Sequence, residues 1–268
     1  MNLTDKRVLL TGGSSGIGLA AAEALAAAGA RLVISGRRPE ALSQAVERLR
    51  AGGGQVEGVA ADLATPAGRE ATLNKALECL GGLDILINNA GGVRAGRLEH
   101  TSEDEISTML TVDLLAPILL TRAALPALRA SGEAMVVNVA SGIALIGMPF
   151  YTTYAAVKAG LSHFGEALRR ELNGEGIQVM TLYPGATDTP MMGSSRAGPD
   201  LGFNKESPGA VAEAMIAGMQ QGALQVIRGG EARAAMIAMN RENPQALDQR
   251  FLGMKADLEE AVRDHSAL

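Results

Sequence analysis

RVLLTGGSSGIGLAAAEALA, residues 7–26, decides how the rest of the chain is read. Its first five residues form a short apolar run of the kind a buried strand shows. Six residues with little side-chain bulk follow, Gly12, Gly13, Ser14, Ser15, Gly16 and, after Ile17, Gly18, and then an Ala-rich stretch patterned as a helix. A strand that passes through glycines straight into a helix brings backbone N–H groups and the positive end of the helix dipole to one point, which suits a pyrophosphate. Glycines that merely relieved a tight turn would need neither the strand before them nor the helix after.

Outward from this loop the same alternation continues. RLVISG precedes PEALSQAVERLRA, QVEGVAAD precedes GREATLNKALECL, and DILINNAG precedes a long helical segment at 102–130. The second half repeats it with AMVVNVAS, a helix carrying Tyr154 and Lys158, GIQVMTLYPG, SPGAVAEAMIAGMQ and ALQVIRGG. Strand and helix in strict alternation predict an α/β fold, a doubly wound Rossmann-type sheet of about seven parallel strands with helices on both faces. Its ligand crevice is expected outside the carboxyl ends of the strands. Neither a linker nor a repeat interrupts 1–268, so a single domain is expected.

Composition removes several classes of function. With 24 Lys and Arg against 29 Asp and Glu, the net charge is −5, and neither a nucleic-acid nor an anionic-membrane surface is expected. No run is read as approaching the apolar length of a membrane span, and no signal peptide precedes the first strand, so a cytoplasmic protein is expected. One cysteine, Cys79, allows no internal disulfide and reads as a buried helical thiol. His100, His163 and His265 stand far apart without carboxylates at ligand spacing, and no metal site is predicted.

The spacing of Gly12, Gly16 and Gly18 resembles the T-G-x-x-x-G-x-G loop of the short-chain dehydrogenase/reductase family, and residues 5–230 share its layout. The resemblance implies a nicotinamide dinucleotide held by Gly12, Ser14, Ser15, Gly16, Ile17 and Gly18. At the end of the second strand, where a carboxylate would bind a ribose 2′-hydroxyl, the chain has Gly36 followed by Arg37 and Arg38. Two guanidiniums without a carboxylate favour a 2′-phosphate, so NADP(H) is expected over NAD(H), which stays possible. A solvated pair of arginines, with Glu40 near enough to pair, is the plainer alternative. By resemblance Asp62 and Leu63 contact adenine, and Asn89, Ala90 and Gly91 belong to an N-N-A-G segment beside the cofactor. Pro184 and Gly185 would line the nicotinamide, and Thr187 or Thr189 would contact its carboxamide or the phosphates.

FYTTYAAVK, residues 150–158, holds two of the three tyrosines. Tyr154 lies four residues before Lys158 and shares a helix face with it, whereas Tyr151 has Ala155 in that place. An ammonium lowers a phenol's pKa by favouring the phenolate, so Lys158 is read as the activator of Tyr154. Tyr151 is read as pocket wall or packing. Ser141 ends a strand thirteen residues before Tyr154, the family's spacing, and its hydroxyl suits a developing alkoxide. In the family a fourth catalytic residue is an asparagine whose main-chain carbonyl holds a water leading to the lysine. Here Asp113 stands there and can supply the same main-chain carbonyl, while an ionised carboxylate would also favour the Lys158 cation and oppose the phenolate.

An apolar pocket is expected from Leu145, Ile146, Met148, Phe150, Met191, Met192, Leu201 and Phe203, with 190–207 as the substrate loop. A helical extension at 231–268 carries Met236, Met239, Phe251, Leu252, Leu258 and Val262, which are expected to cover the site or a subunit contact. Resemblance implies a homodimer or homotetramer, the dimer formed through the long helices. The predicted activity is interconversion of a small-molecule ketone or aldehyde and its alcohol. A cofactor-binding regulator with little turnover and a lyase or epimerase are the alternatives.

Overall fold

The computed structural model describes residues 1–268. Seven strands, β1 (Arg7–Thr11), β2 (Arg31–Gly36), β3 (Gln55–Ala60), β4 (Ile85–Asn88), β6 (Ala134–Val139), β7 (Ile177–Tyr183) and β8 (Gln225–Ile227), form one sheet. Their order is β3-β2-β1-β4-β6-β7-β8, and every neighbouring pair is parallel. The order turns back between β1 and β4, so the loops leaving these two strands diverge and open a crevice at their carboxyl ends.

Side chains on each strand alternate between two cores. Leu10, Ile34, Ile87 and Val137 face one layer, where they meet α1 (Gly16–Ala27), α2 (Pro39–Ala51) and α7 (Pro208–Gln221). The residue before each of them, Leu9, Val33, Leu86 and Val136, faces the other. There the partners are α3 (Pro66–Leu80), α5 (Ala116–Ser131) and α6 (Thr152–Glu171). Both faces are covered by helices, which is why these strands read as continuous apolar runs. Truncating Leu9 or Leu10 to Ala would open a cavity in one layer at a cost of about 2–5 kcal/mol.

The segment expected as one long helix is interrupted. Helix α4 (Glu103–Leu110) opens with a capping box in which Ser102 and Glu105 satisfy each other's backbone N–H groups. A π-helical turn at Thr111–Leu115 then leads into α5. Together Glu103–Ser131 make a 29-residue helical run with an 18-residue window of mean hydropathy 1.5, long and apolar enough by length and composition to cross a membrane. That corrects the expectation that no run approaches a span. The apolar content has a local cause: Leu120, Ala124 and Leu128 are buried between α3 and the sheet.

Past β8 the chain forms α8 (Gly230–Glu242) and α9 (Pro244–Val262), then returns to the site. Residues Ser266–Ala267 form β9, antiparallel to a two-residue strand β5 (Val93–Arg94) just after the N-N-A-G segment. Leu258 and Val262 of α9 are buried against Val93, Ile143, Phe150 and Tyr151, so the extension does cover the site. Leu252 does not contribute, being 61% exposed. Cys79 is half-buried rather than buried.

Candidate active site

Every residue read from the sequence as catalytic or cofactor-binding lines one cavity of about 780 Å³ at the carboxyl end of the sheet, with Met148, Met191, Met192, Leu201 and Phe203 of the expected apolar pocket; Leu145, Ile146 and Phe150 pack behind its wall instead. Thr11, the last residue of β1, ties its two halves together. Its hydroxyl accepts from the N–H groups of Asn89 (2.9 Å) and Ala90 (3.0 Å), while Asn89 Nδ2 donates to the carbonyls of Thr11 (2.9 Å) and Gly12 (3.1 Å). The glycine loop thus cannot shift without the β4 loop.

Two glycines in that loop have no substitute. At Gly16 φ is +55°, and a Cβ at Gly18 would stand 2.1 Å from the Gly12 carbonyl oxygen. Ser15 caps α1 without a side-chain hydrogen bond, so the first N–H groups of the helix are left to an outside acceptor. Loop, dipole and free donors fit a pyrophosphate. Further along, Arg37 and Arg38 are exposed, line the cavity, and pair with neither Glu40 nor any other carboxylate. Asp62 folds back to accept from the Ala64 N–H at 3.0 Å, fixing the loop after β3.

At the other end of the cavity Ser141, Tyr154, Lys158 and Asp113 converge. Ser141 follows β6 and caps a short turn, its hydroxyl accepting from the Ile143 N–H at 3.3 Å beside the Tyr154 hydroxyl. Lys158, one helical turn after Tyr154 on α6, donates to the Val139 carbonyl (3.3 Å) and lies 3.0 Å from Asp113 Oδ1. Its Nζ is 5.7 Å from the centre of the Tyr154 ring. The Gly92 N–H donates to Asp113 Oδ2 at 3.0 Å. A Cβ at Gly91 would meet Asp113 Oδ1 at 2.5 Å and Lys158 Nζ at 3.2 Å, so glycine is what lets this ion pair form. Asp113 lies in the π-helical turn, a backbone irregularity that often marks functional sites.

Electrostatics here differ in one respect from the sequence expectation. Burial pushes the Tyr154 phenol above its ordinary pKa, Lys158 works against this, and Asp113 adds to it. The ammonium therefore limits the rise instead of producing a net fall. Burial acts to lower the Lys158 pKa, but Asp113 and Tyr154 outweigh it and hold the side chain as a cation. Asp113 is pushed up by burial, against the pull of Lys158 and the Gly92 N–H. A neutral phenol beside a fixed ammonium is poised to give a proton.

Tyr151 occupies a different place. Its ring lies 6.3 Å from that of Tyr154, its hydroxyl is buried without a hydrogen-bond partner, and burial raises its pKa. It packs with Phe203 and the edge of His265. Phe150 before it adopts φ +67°, unusual for a bulky residue, and its carbonyl accepts from the Gly96 N–H at 2.7 Å.

The cavity wall also contains residues that the sequence did not announce. Arg233 and Met236 of α8, Arg250 and Met254 of α9, and His265 in the tail all face it. His265 is fully buried, with Nδ1 2.9 Å from Ser194 Oγ, and burial lowers its pKa to about 4. Only the apolar periodicity of the extension hinted that it would reach the site.

A sheet reversed between β1 and β4, with a glycine loop at one end of the cavity and a Ser-Tyr-Lys cluster at the other, defines a dinucleotide-type oxidoreductase fold. The family model described as short chain dehydrogenase matches residues 6–200, and the chain belongs to that family. Among curated relatives, the ketoacyl reductase HetN of Nostoc sp. is 34% identical over 226 residues, covering 84% of this chain and 79% of that protein. A short-chain dehydrogenase from Burkholderia cenocepacia solved with NADP is 33% identical, with a TM-score of 0.76 over 85% of this chain and 99% of that one. A Burkholderia phymatum relative solved with NAD has a TM-score of 0.83 at 24% identity, covering 92% and 96%, and establishes the shared fold.

Proposed function

We propose that this oxidoreductase reduces a small-molecule ketone or aldehyde with NADPH, or runs the reverse oxidation. The observation that carries the proposal is the convergence of Ser141, Tyr154 and Lys158 at one end of a cavity whose other end is the glycine loop. The free N–H groups of the loop and α1 would hold the pyrophosphate, and Arg37 with Arg38 the 2′-phosphate. Asp62 and Leu63 would border adenine. Asn89 to Gly91, Pro184, Gly185, Thr187 and Thr189 would line the nicotinamide side. When bound, the nicotinamide supplies a hydride acceptor or donor at C4.

The chain's own residues do the rest. Ser141 Oγ hydrogen-bonds the substrate oxygen and holds it as negative charge develops. Tyr154 transfers its phenolic proton to that oxygen, and Lys158 steadies the phenolate left behind. Asp113 sets the charge of Lys158 and so the pH at which this proton moves. Leu201, Phe203 and Met191 provide the apolar body of the substrate site.

Reduction is tested by following absorbance at 340 nm with a panel of carbonyl compounds and either NADPH or NADH. Net consumption, greater with NADPH, supports the proposal. Cofactor binding without turnover of any carbonyl or alcohol would favour the regulatory alternative and overturn it. The exposed Leu110 and Leu115 on the long helical run support self-association through that face, which sedimentation of wild type against Leu110→Glu would test.

A further inference from the structure

Arg233 differs from the arginines that a carboxylate completes. Arg7 pairs with Asp84 at 2.6 Å, Arg94 with Glu105 at 2.9 Å, and Arg228 with Glu206 at 2.6 Å. Each of these is partly buried, and each has a carboxylate. Arg233, also partly buried, has none and donates no side-chain hydrogen bond within the chain; burial alone acts on its pKa, lowering it. A desolvated guanidinium without an acceptor is costly, and a fold keeps one where a ligand completes it.

Its seat is built from glycine. A Cβ at Gly142 would stand 3.0 Å from both Cζ and Nη1 of Arg233, and one at Gly229 would stand 2.9 Å from its Cβ. Gly142 directly follows Ser141, so the guanidinium packs against the residue next to the one whose hydroxyl faces the substrate oxygen. Among the side chains of the cavity wall only two are carboxylates, Asp62 and Asp113. Asp113 is taken by Lys158 at 3.0 Å, and Asp62 belongs to the loop after β3, at the opposite end. Glu206, between β7 and β8, is engaged through Oε2 by both Nε and Nη2 of Arg228, while its Oε1 is buried without a partner. No side-chain carboxylate pairs with Arg233, while Met236, Met254 and Phe251 of the extension give the same cavity an apolar wall.

We propose that Arg233 binds a carboxylate of the substrate, and that the site takes an oxo acid with an apolar chain, its carboxylate within a few bonds of the carbonyl carbon. A planar guanidinium binds a carboxylate through two parallel hydrogen bonds, and beside Ser141 this pins the carbonyl at a fixed distance from the charge. The inference rests on the reductase reading and adds the substrate's charge to it. It assigns a role to α8, which the Ser-Tyr-Lys chemistry leaves without one.

The test compares 2-oxohexanoate and 3-oxohexanoate, each against its methyl ester, with wild type, Arg233→Met and Arg233→Lys, all of matched melting temperature. Wild type should favour one of the acids over its ester. The ratio of kcat/KM for acid over ester should fall by about 10-fold or more in Arg233→Met, as for loss of a charged hydrogen-bonded pair, and by less in Arg233→Lys. The KM for NADPH should not move. An unchanged ratio in Arg233→Met, or a raised NADPH KM in its place, would overturn the assignment. Should none of the four compounds be reduced, the reductase reading is what fails, and calorimetry with the NADPH-saturated protein decides the matter. Acid bound by wild type and lost in Arg233→Met supports the site; equal binding by both, or none by wild type, overturns it.

Discussion

Replacing Asp113 with asparagine keeps the shape of the side chain and removes its charge, which isolates what the carboxylate does to Tyr154. Asp113 Oδ1 is 3.0 Å from Lys158 Nζ, which is 5.7 Å from the Tyr154 ring centre, so the carboxylate lies within about 9 Å of the ring. Two like charges about 9 Å apart repel by about 1.8 kcal/mol at an effective dielectric of about 20, equivalent to about 1.3 pH units. The sign is fixed: a carboxylate disfavours the phenolate, so its removal lowers the Tyr154 pKa. Carbonyl reduction requires the protonated phenol, and its alkaline limb should move down by about 1 pH unit in Asp113→Asn. Alcohol oxidation requires the phenolate, and its acidic limb should move down as well. The assay is kcat/KM against pH in both directions, with turnover at pH 7 similar to or above wild type. Limbs that stay in place, or move up, would refute the electrostatic role. Complete loss of activity with the fold intact would show that the carboxylate takes part directly.

Arg37→Asp combined with Arg38→Ala should shift the ratio of kcat/KM for NADPH over NADH by about 10²-fold toward NADH, since two exposed charged contacts to a phosphate are lost and a ribose acceptor is gained; an unchanged ratio would leave both arginines as surface charge. Gly91→Ala should cut turnover by about 10-fold or more, because the new methyl group displaces Asp113 or Lys158, and wild-type activity in that variant would contradict the close packing at this position. His265 titrates near 4 in the fold against 6.5 when unfolded, so the stability it contributes is full above pH 6.5 and is lost as pH falls through 4. Between pH 7 and 5 the unfolding free energy from urea titration should drop by about 2 kcal/mol, and His265→Gln should flatten that slope; a slope unchanged by the substitution would show that His265 is not the group responsible.

The sheet was legible because β1, β2, β4, β6 and β7 are buried on both faces and therefore read as unbroken apolar runs between helical stretches. The site was legible for a related reason: backbone-driven recognition needs glycine at set places, and Tyr154 and Lys158 lie one turn apart on a single helix. Where the sequence fell silent, the determinants were not periodic. The pairing of Val93–Arg94 with Ser266–Ala267 involves two residues on each side, too few to alternate. The π-helical turn at Asp113 adds no change in composition to the run around it. Arg233 looks like any solvent-facing arginine of a polar helix until the chain beyond β8 folds back over Gly142. The apolar length of 103–131 was underestimated because polar residues in α4 sit beside the apolar run that follows.

The central claim, that Tyr154 is the proton donor of a carbonyl reduction, is tested most directly by removing one oxygen atom. Turnover of a carbonyl substrate with NADPH, followed at 340 nm, should fall by about 10² or more in Tyr154→Phe, while titration of NADPH fluorescence shows the cofactor still bound. Tyr151→Phe should lose far less, since its hydroxyl is buried without a partner and Lys158 lies beyond its helical turn. If Tyr151→Phe abolishes turnover and Tyr154→Phe spares it, the roles given to Ser141, Tyr154 and Lys158 are wrong.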